Sequence, residues 1–175
     1  MKDKTAQLAK RATKGDAAAF GELYSLFAGE MYRYALYSLG TREAAQDAVQ
    51  ETALEAFKNI VKLKNEDAAK AWFFGILYNI CKRFQREKYR AEFTTLELCE
   101  ELSSDETDET VLIGIDLIRL INALSEQERE IVLLSAVCGY SGKEIAAVTG
   151  IPHGTVRSKL SRALAKLREE TEGRK

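Results

Sequence analysis

Residues 141–167 read SGKEIAAVTGIPHGTVRSKLSRALAKL, and their spacing predicts two short helices around a tight turn. Ser141 followed three residues later by Glu144 is a capping box, which fixes where the first helix begins. Ile145 and Val148 give it an apolar face, and Gly150 can adopt the positive φ of a sharp exit. Pro152 cannot continue that helix, and Thr155 is the expected N-cap of the next. Turned at 100° per residue, the second helix gathers Val156, Leu160, Ala163, Leu164 and Leu167 on one side. Arg157, Ser158, Lys159, Ser161, Arg162, Lys166 and Arg168 take the rest, and no acidic residue lies between Ile151 and Arg168. A solvated helix normally mixes both signs of charge. A cationic helix held across a turn by a short partner fits a duplex major groove.

Charge is unevenly distributed along the chain. The 175 residues carry a net charge of only −1. Residues 1–90 hold 16 basic and 11 acidic groups, residues 91–118 hold 9 acidic and no basic ones, and residues 119–175 hold 10 basic and 7 acidic. Two basic blocks thus flank an acidic connector. Cys81, Cys99 and Cys138 are odd in number and far apart, without a CxxC pair or a second histidine near His153, so neither a metal site nor a disulfide framework is expected. Reduced thiols are the default, with redox sensing by one of them as the alternative. No signal peptide opens the chain, and the longest apolar run, residues 131–138, is too short to span a bilayer. The expectation is a soluble intracellular protein.

Helical periodicity dominates and strand alternation is nearly absent, so the fold class is all-α. Helices are expected over 5–14, from Gly15-Asp16 to Gly40, over 42–61 and from 68 to about 90. In the third, Val49, Ala53, Ala56, Phe57 and Ile60 form the expected core face. Glu43, Asp47, Gln50 and Glu51 cluster opposite, with Lys58 further along, as either a hydrated face or a dock for a basic protein. In the fourth, Trp72, Phe73, Ile76, Leu77, Ile80 and Phe84 read mostly as core. Gly75, Asn79, Lys82, Arg83 and Arg86 fall on one stripe bordered by Trp72, a combination that suits single-stranded DNA. The polar loop 62–67, with Lys62, Lys64 and Asn65, lies beside that stripe and could contact an extruded base. The acidic stretch LELCEELSSDETDET reads as a linker, either a plain tether or a mimic of nucleic acid in a basic channel. Helix resumes over 111–123. A second capping box, Ser125 with Glu128, starts a helix through Ile131, Val132, Leu134 and Val137 that Gly139 closes. Four helices, two of them scaffold, make the second unit.

Two stretches resemble one family, the sigma factors of bacterial RNA polymerase, in their small extracytoplasmic-function group. The first runs GDAAAFGELYSLFAGEMYRYALYSLGTREAAQDAVQETALEAFKNI and continues as AWFFGILYNICKRFQRE. It is similar to the promoter-melting domain of that family. The second, LSEQEREIVLLSAVCGYSGKEIAAVTGIPHGTVRSKLSRALAKLRE, is similar to the family's upstream-element domain, with its GTVRSxLxRA signature. The resemblance implies region 2 over 1–90, an acidic linker over 91–112 running toward the RNA exit path, and region 4 over 113–175. It implies that Asp47, Gln50 and Glu51 dock on the clamp of the largest polymerase subunit, while region 4 meets the flap of the second-largest. Asn79 and the 62–67 loop would read a flipped base of the minus-ten element, with Trp72, Lys82, Arg83 and Arg86 holding the melted strand. Thr155, Arg157, Ser158, Ser161 and Arg162 would sit at the minus-thirty-five major groove, with Lys159 and Lys166 on phosphates. No cofactor or metal is implied. The partners implied are core polymerase, promoter DNA and an anti-sigma factor, and the place is the cytoplasm, on the nucleoid when active. Gly142 stands where the family usually has a larger residue, which is expected to loosen the front of that helix. Gly75 and Tyr78 also replace the more usual residues before Asn79.

Three rival readings fit the sequence less well. The 124–146 segment also resembles a LuxR-type regulator, but residues 1–90 offer neither strands nor a phosphoacceptor pocket, and DAVQETALEAF has no role there. An enzyme would need more than one histidine, a carboxylate pair in an apolar setting or a Gly-rich phosphate loop. A purely structural adaptor would explain the apolar pattern but not the cationic face of 155–168.

Overall fold

The computed structural model describes residues 2–88, 120–121 and 123–172. These residues are helical, with no strand among them. The helices are α1 (Lys2–Ala12), α2 (Ala17–Leu39), α3 (Arg42–Asn59), α4 (Ala69–Lys88), α5 (Glu126–Ala136), α6 (Gly142–Thr149) and α7 (His153–Glu172). Two single 3-10 turns, Ile60–Lys62 and Glu66–Ala68, lead from α3 into α4. The 91–112 linker and most of the helix expected over 111–123 lie outside the described residues; Leu120 and Ile121 are helical.

Local chemistry sets the boundaries. The Asp16 carboxylate accepts the Ala19 N–H at 2.9 Å and starts α2, and Arg11 pairs with it at 2.7 Å, tying α1 to that cap. Gly40, at φ 85°, ends α2 in the left-handed conformation, and the Thr41 hydroxyl accepts the Ala44 N–H to open α3. Because α3 buries small residues (Ala45, Ala48 and Ala56, with Val49 and Thr52), it can lie close to its neighbours. Thr52 is satisfied internally, its hydroxyl donating to the Ala48 carbonyl at 2.7 Å. Phe57, expected in that core face, is 53 % exposed. It turns out past the Ala45–Ala56 stripe and only its edge meets Phe20, with ring centroids 5.1 Å apart.

The core runs through both halves of the chain. Phe73 packs against Phe20 and Phe27, Phe74 against Tyr34, and on the far side Phe74 meets Tyr140 edge-on at 5.2 Å. Ile131, Leu133, Leu134, Ile145, Val148 and Val156 join the same buried cluster, while Leu124, Val132 and Ala163 form a smaller one between α5 and α7. Cys81 and Cys138 are both buried, and burial pushes each thiol up to about 12, which disfavours the thiolate that a redox sensor needs. Cys99 lies outside the described residues.

Candidate nucleic-acid interface

Between the end of α3 and the face of α4 opens a surface cavity of about 450 Å³. Glu51, Glu55, Asn59 and Lys62 line one wall, and Trp72, Ile76, Asn79, Ile80 and Arg83 the other. The α4 residues arrive there because 72, 76, 79 and 83 share one helical face. Trp72 is braced edge-on by Phe73, with ring centroids 5.4 Å apart. The α3 wall is a chain of polar contacts. Lys62 donates to the Asn59 amide oxygen at 2.7 Å, and the Asn59 amide nitrogen donates to the Glu55 carbonyl at 2.9 Å. Arg83 pairs with Glu51 across the mouth, a contact that raises its already high pKa. A half-buried indole, an exposed Asn79 amide and two cations thus face one concavity, which suits a planar base on a phosphate chain.

Other predicted residues are distributed differently. Asp47 and Gln50 are exposed on α3, whereas Glu51 is half-buried and belongs to the cavity wall. Lys64, Asn65 and Arg86 are exposed outside the cavity lining, and Asn65 caps the second 3-10 turn by accepting the Asp67 N–H. Lys82 departs from the expected stripe. It sits about 100° around α4 from Arg83 and pairs with Glu126 and, at 2.9 Å, with Glu130 of α5. Burial lowers its pKa, but the two carboxylates outweigh that and hold the ammonium above its ordinary value.

In the second half, both capping boxes form. The Ser141 hydroxyl and N–H donate to one Glu144 oxygen at 2.7 and 2.8 Å, and Gly150 closes α6 at φ 73°. Thr155 is not the N-cap of α7. The Val156 N–H already bonds the Pro152 carbonyl at 3.0 Å, so Pro152 holds that position and α7 begins at His153. The start of α6 at Gly142 is capped by Ser141 and covered by His153. A Cβ there would lie 3.2 Å from His153 Nε2, so the missing side chain lets the imidazole lie across the start of the helix. Thr155, Arg157, Ser158, Ser161 and Arg162 are exposed together on the outer face of α7, with Lys159 half-buried beside them. Val156 and Ala163 are fully buried beneath them, but Leu164 is 43 % exposed because it lies beyond the edge of that stripe. Lys166 stays exposed while donating to Glu128 at 3.0 and 3.2 Å. Glu128 also accepts the Ser125 hydroxyl at 2.7 Å, and these contacts lower its carboxyl from 4.5 to about 2.

Residues 23–91 match the family described as Sigma-70 region 2, and residues 115–167 match Sigma-70, region 4. The chain is 31 % identical to the RNA polymerase sigma factor CnrH of Cupriavidus metallidurans, over 91 % of this chain and 90 % of that one. It belongs to the sigma-70 family. Within that family, its relatives are sigma factors of the extracytoplasmic-function (ECF) group. SigL of Mycobacterium tuberculosis is 30 % identical over 90 % of this chain and 91 % of its own. BldN of Streptomyces coelicolor is 31 % identical over 92 % of this chain, which spans 63 % of the length of that relative. The fold is shared with solved CnrH in complex with the cytosolic domain of CnrY, at a TM-score of 0.77 and 23 % identity over 97 % of this chain and 98 % of that one. It is shared too with the sigma factor RpoE of Bartonella quintana in complex with the anti-sigma factor NepR, at 0.70 and 24 % over 87 % and 96 %. Both halves of the chain match sigma-70 regions, which leaves the LuxR-type reading without support. Sigma factors are regulatory proteins. No described helix is long and apolar enough to cross a membrane.

Sequence reasoning missed several residues of this sigma factor. Ile76, Glu55 and Asn59 complete the cavity, and only the pairing of α3 with α4 brings them there. Glu130, 2 % exposed, is hidden in the sequence by its neighbours in a capping box and an apolar run. The spacing of Lys70, Phe74, Tyr78 and Lys82 by fours was a legible signal that the cationic-stripe reading passed over.

Proposed function

We propose that the protein directs core RNA polymerase to a set of promoters and helps open them, with residues 1–90 and 113–175 as the two working domains and 91–112 as an acidic connector. Residues 1–90 take the minus-ten element: a base flipped from the non-template strand enters the α3–α4 cavity, with Asn79 and Lys62 at its edge. Trp72 and Arg83 hold the strand beside it. The observation that carries the reading is this cavity, which unites Lys62, Trp72, Asn79 and Arg83 from the set expected at the minus-ten element. Unstacking a base costs on the order of a few kcal/mol, and stacking plus a fitted pocket can return it. Lys64, Asn65 and Arg86 lie outside the lining and serve the flanking phosphates.

The outer face of α7 enters the minus-thirty-five major groove, where Arg157, Ser158, Ser161 and Arg162 meet base edges and Thr155 and Lys159 meet phosphates. Lys166, exposed at the end of that face, meets a phosphate as well, and its bond to Glu128 fixes the pitch of α7 on α5. Asp47 and Gln50 dock on the polymerase clamp, and residues 113–175 meet the flap. An anti-sigma factor is the expected regulator, since solved RpoE of the same fold is held by one. The cytoplasm is the expected place of action.

Run-off transcription with purified core polymerase tests the reading. Asp47→Ala/Gln50→Ala should weaken core binding, while Asn79→Ala should leave core binding intact and lower open-complex formation. A chain that ignores core but shifts duplex DNA by itself would overturn the assignment.

A further inference from the structure

α1 is the one described helix that lies wholly outside both matched regions, since the match to region 2 begins at residue 23. Its residues sort by side. Leu8, Ala9 and Ala12 are buried, while Lys4, Gln7, Lys10 and Arg11 are exposed on the other side of the helix. Lys14, exposed in the turn that follows, adds a further cation. No acidic residue occurs between Lys4 and Gly15. Arg11 is answered by Asp16 at 2.7 Å, but Lys4, Lys10 and Lys14 have no ion pair among the described residues.

Helix stability does not account for this set. Lys10 and Arg11 lie in the last turn of α1, where cations complement the helix dipole. Lys4 lies in the first turn, where the same dipole disfavours a cation, and Lys14 lies beyond the helix. The position of α1 supplies a reason. It packs on the Glu66–Ala68 turn, and four residues before that turn stands Lys62, in the lining of the α3–α4 cavity. Four residues span at most about 14 Å, which is about four phosphates along a stacked strand. Along this stretch the charges without a salt bridge are Lys4, Lys10, Lys14, Lys62 and Lys64 against Glu66 and Asp67. That is an excess of three positive charges among the described residues (five less two).

We propose that the exposed face of α1, together with Lys14, is a phosphate-binding surface that takes the promoter strand where it leaves the α3–α4 cavity, past Lys62 and Lys64. This rests on the strand-capture reading of the cavity given above. Contacts of this kind position a strand and carry no sequence information. The cavity reads a base, and α1 holds the backbone that leads away from it.

Full-length variants titrated with a labelled random-sequence single-stranded DNA 20-mer test this, from about 25 mM to about 150 mM salt. Lys4→Gln/Lys10→Gln/Lys14→Gln removes the three charges from exposed positions, and Lys4→Arg/Lys10→Arg/Lys14→Arg keeps them. A plot of log affinity against log salt should be shallower by about 2 in the Gln variant, about 0.7 for each cation lost. Its affinity at the lowest salt should fall at least about tenfold, with the difference closing as salt rises. The Arg variant should follow the wild type in both. A wild-type slope in the Gln variant overturns the inference, as does an equal loss in the Arg variant or no binding by the wild type at the lowest salt. A Gln variant that binds the 20-mer normally but fails to pull down core polymerase marks α1 as a protein dock, which also overturns it. Trp72→Ala separates the two readings. If it lowers affinity while the Gln variant keeps the wild-type slope, the α1 surface fails and the cavity stands. If it changes nothing while the Gln variant loses slope, the cavity reading has failed, and with it the strand path proposed here.

Discussion

Glu128 shows how much one side chain can organise. It closes the capping box of α5, receives Lys166 from α7 and is only 6 % exposed. Its folded carboxyl is held at about 2 against an ordinary 4.5, so its contribution is complete above pH 4.5 and is lost as pH falls toward 2. Glu128→Ala should cost about 1–2 kcal/mol at neutral pH. Urea melts from pH 7 to 2.5 should show the wild type losing its margin over the variant on the acid side, and parallel profiles would contradict the pairing. The box itself was plain in the sequence, because Ser-x-x-Glu before an apolar run has one local meaning. Its link to Lys166 was not, because it joins positions 38 residues apart. On the same ground the sequence left Lys166 without a partner inside the fold: helical phase says which side a residue is on, not which partner will reach for it.

Among the elements, α3 and α6–α7 carry the sharpest expectations. Leu54 and Phe57 are 61 % and 53 % exposed on α3, and Val61 in the 3-10 turn that follows is 66 % exposed, an apolar edge that runs on from Asp47 and Gln50. Leu54→Lys should change stability by less than about 0.5 kcal/mol yet weaken core binding, which thermal melts and a core pull-down would separate. Gly150, with φ at 73°, ends α6 where an L side chain is strained, so Gly150→Ala should cost about 1 kcal/mol in denaturant melts. The breaks at Gly40, Gly139 and Gly150 were all readable, since glycine at a helix end has a direct conformational cause. The start of α7 was misread by three residues. Thr155 is the better cap by propensity, but Pro152 supplies the first carbonyl and its fixed φ suits a helix entry.

At the scale of the whole molecule, the two small surfaces proposed to read DNA sit on one main core and a smaller satellite cluster. Neither surface is large, and the polymerase must hold both in register for them to act as one through effective concentration. The free protein should therefore bind promoter duplex poorly at physiological salt, and a nanomolar sequence-specific complex in a gel-shift titration would count against that. The all-α class and four of the nine cavity residues, Lys62, Trp72, Asn79 and Arg83, were legible because helical period and residue type decide them. How the halves meet was not, because Glu130, Tyr140 and Cys138 read locally as ordinary parts of their own helix and loop.

Glu130 sits where the two halves of the chain meet, and heredity would record it. A screen for variants that lose their fold at raised temperature should recover changes at position 130 often, since they leave Tyr78 and Lys82 without their shared acceptor. Second-site revertants should gather across the seam, at Tyr78 and Lys82, where a change can remove the groups left unmatched.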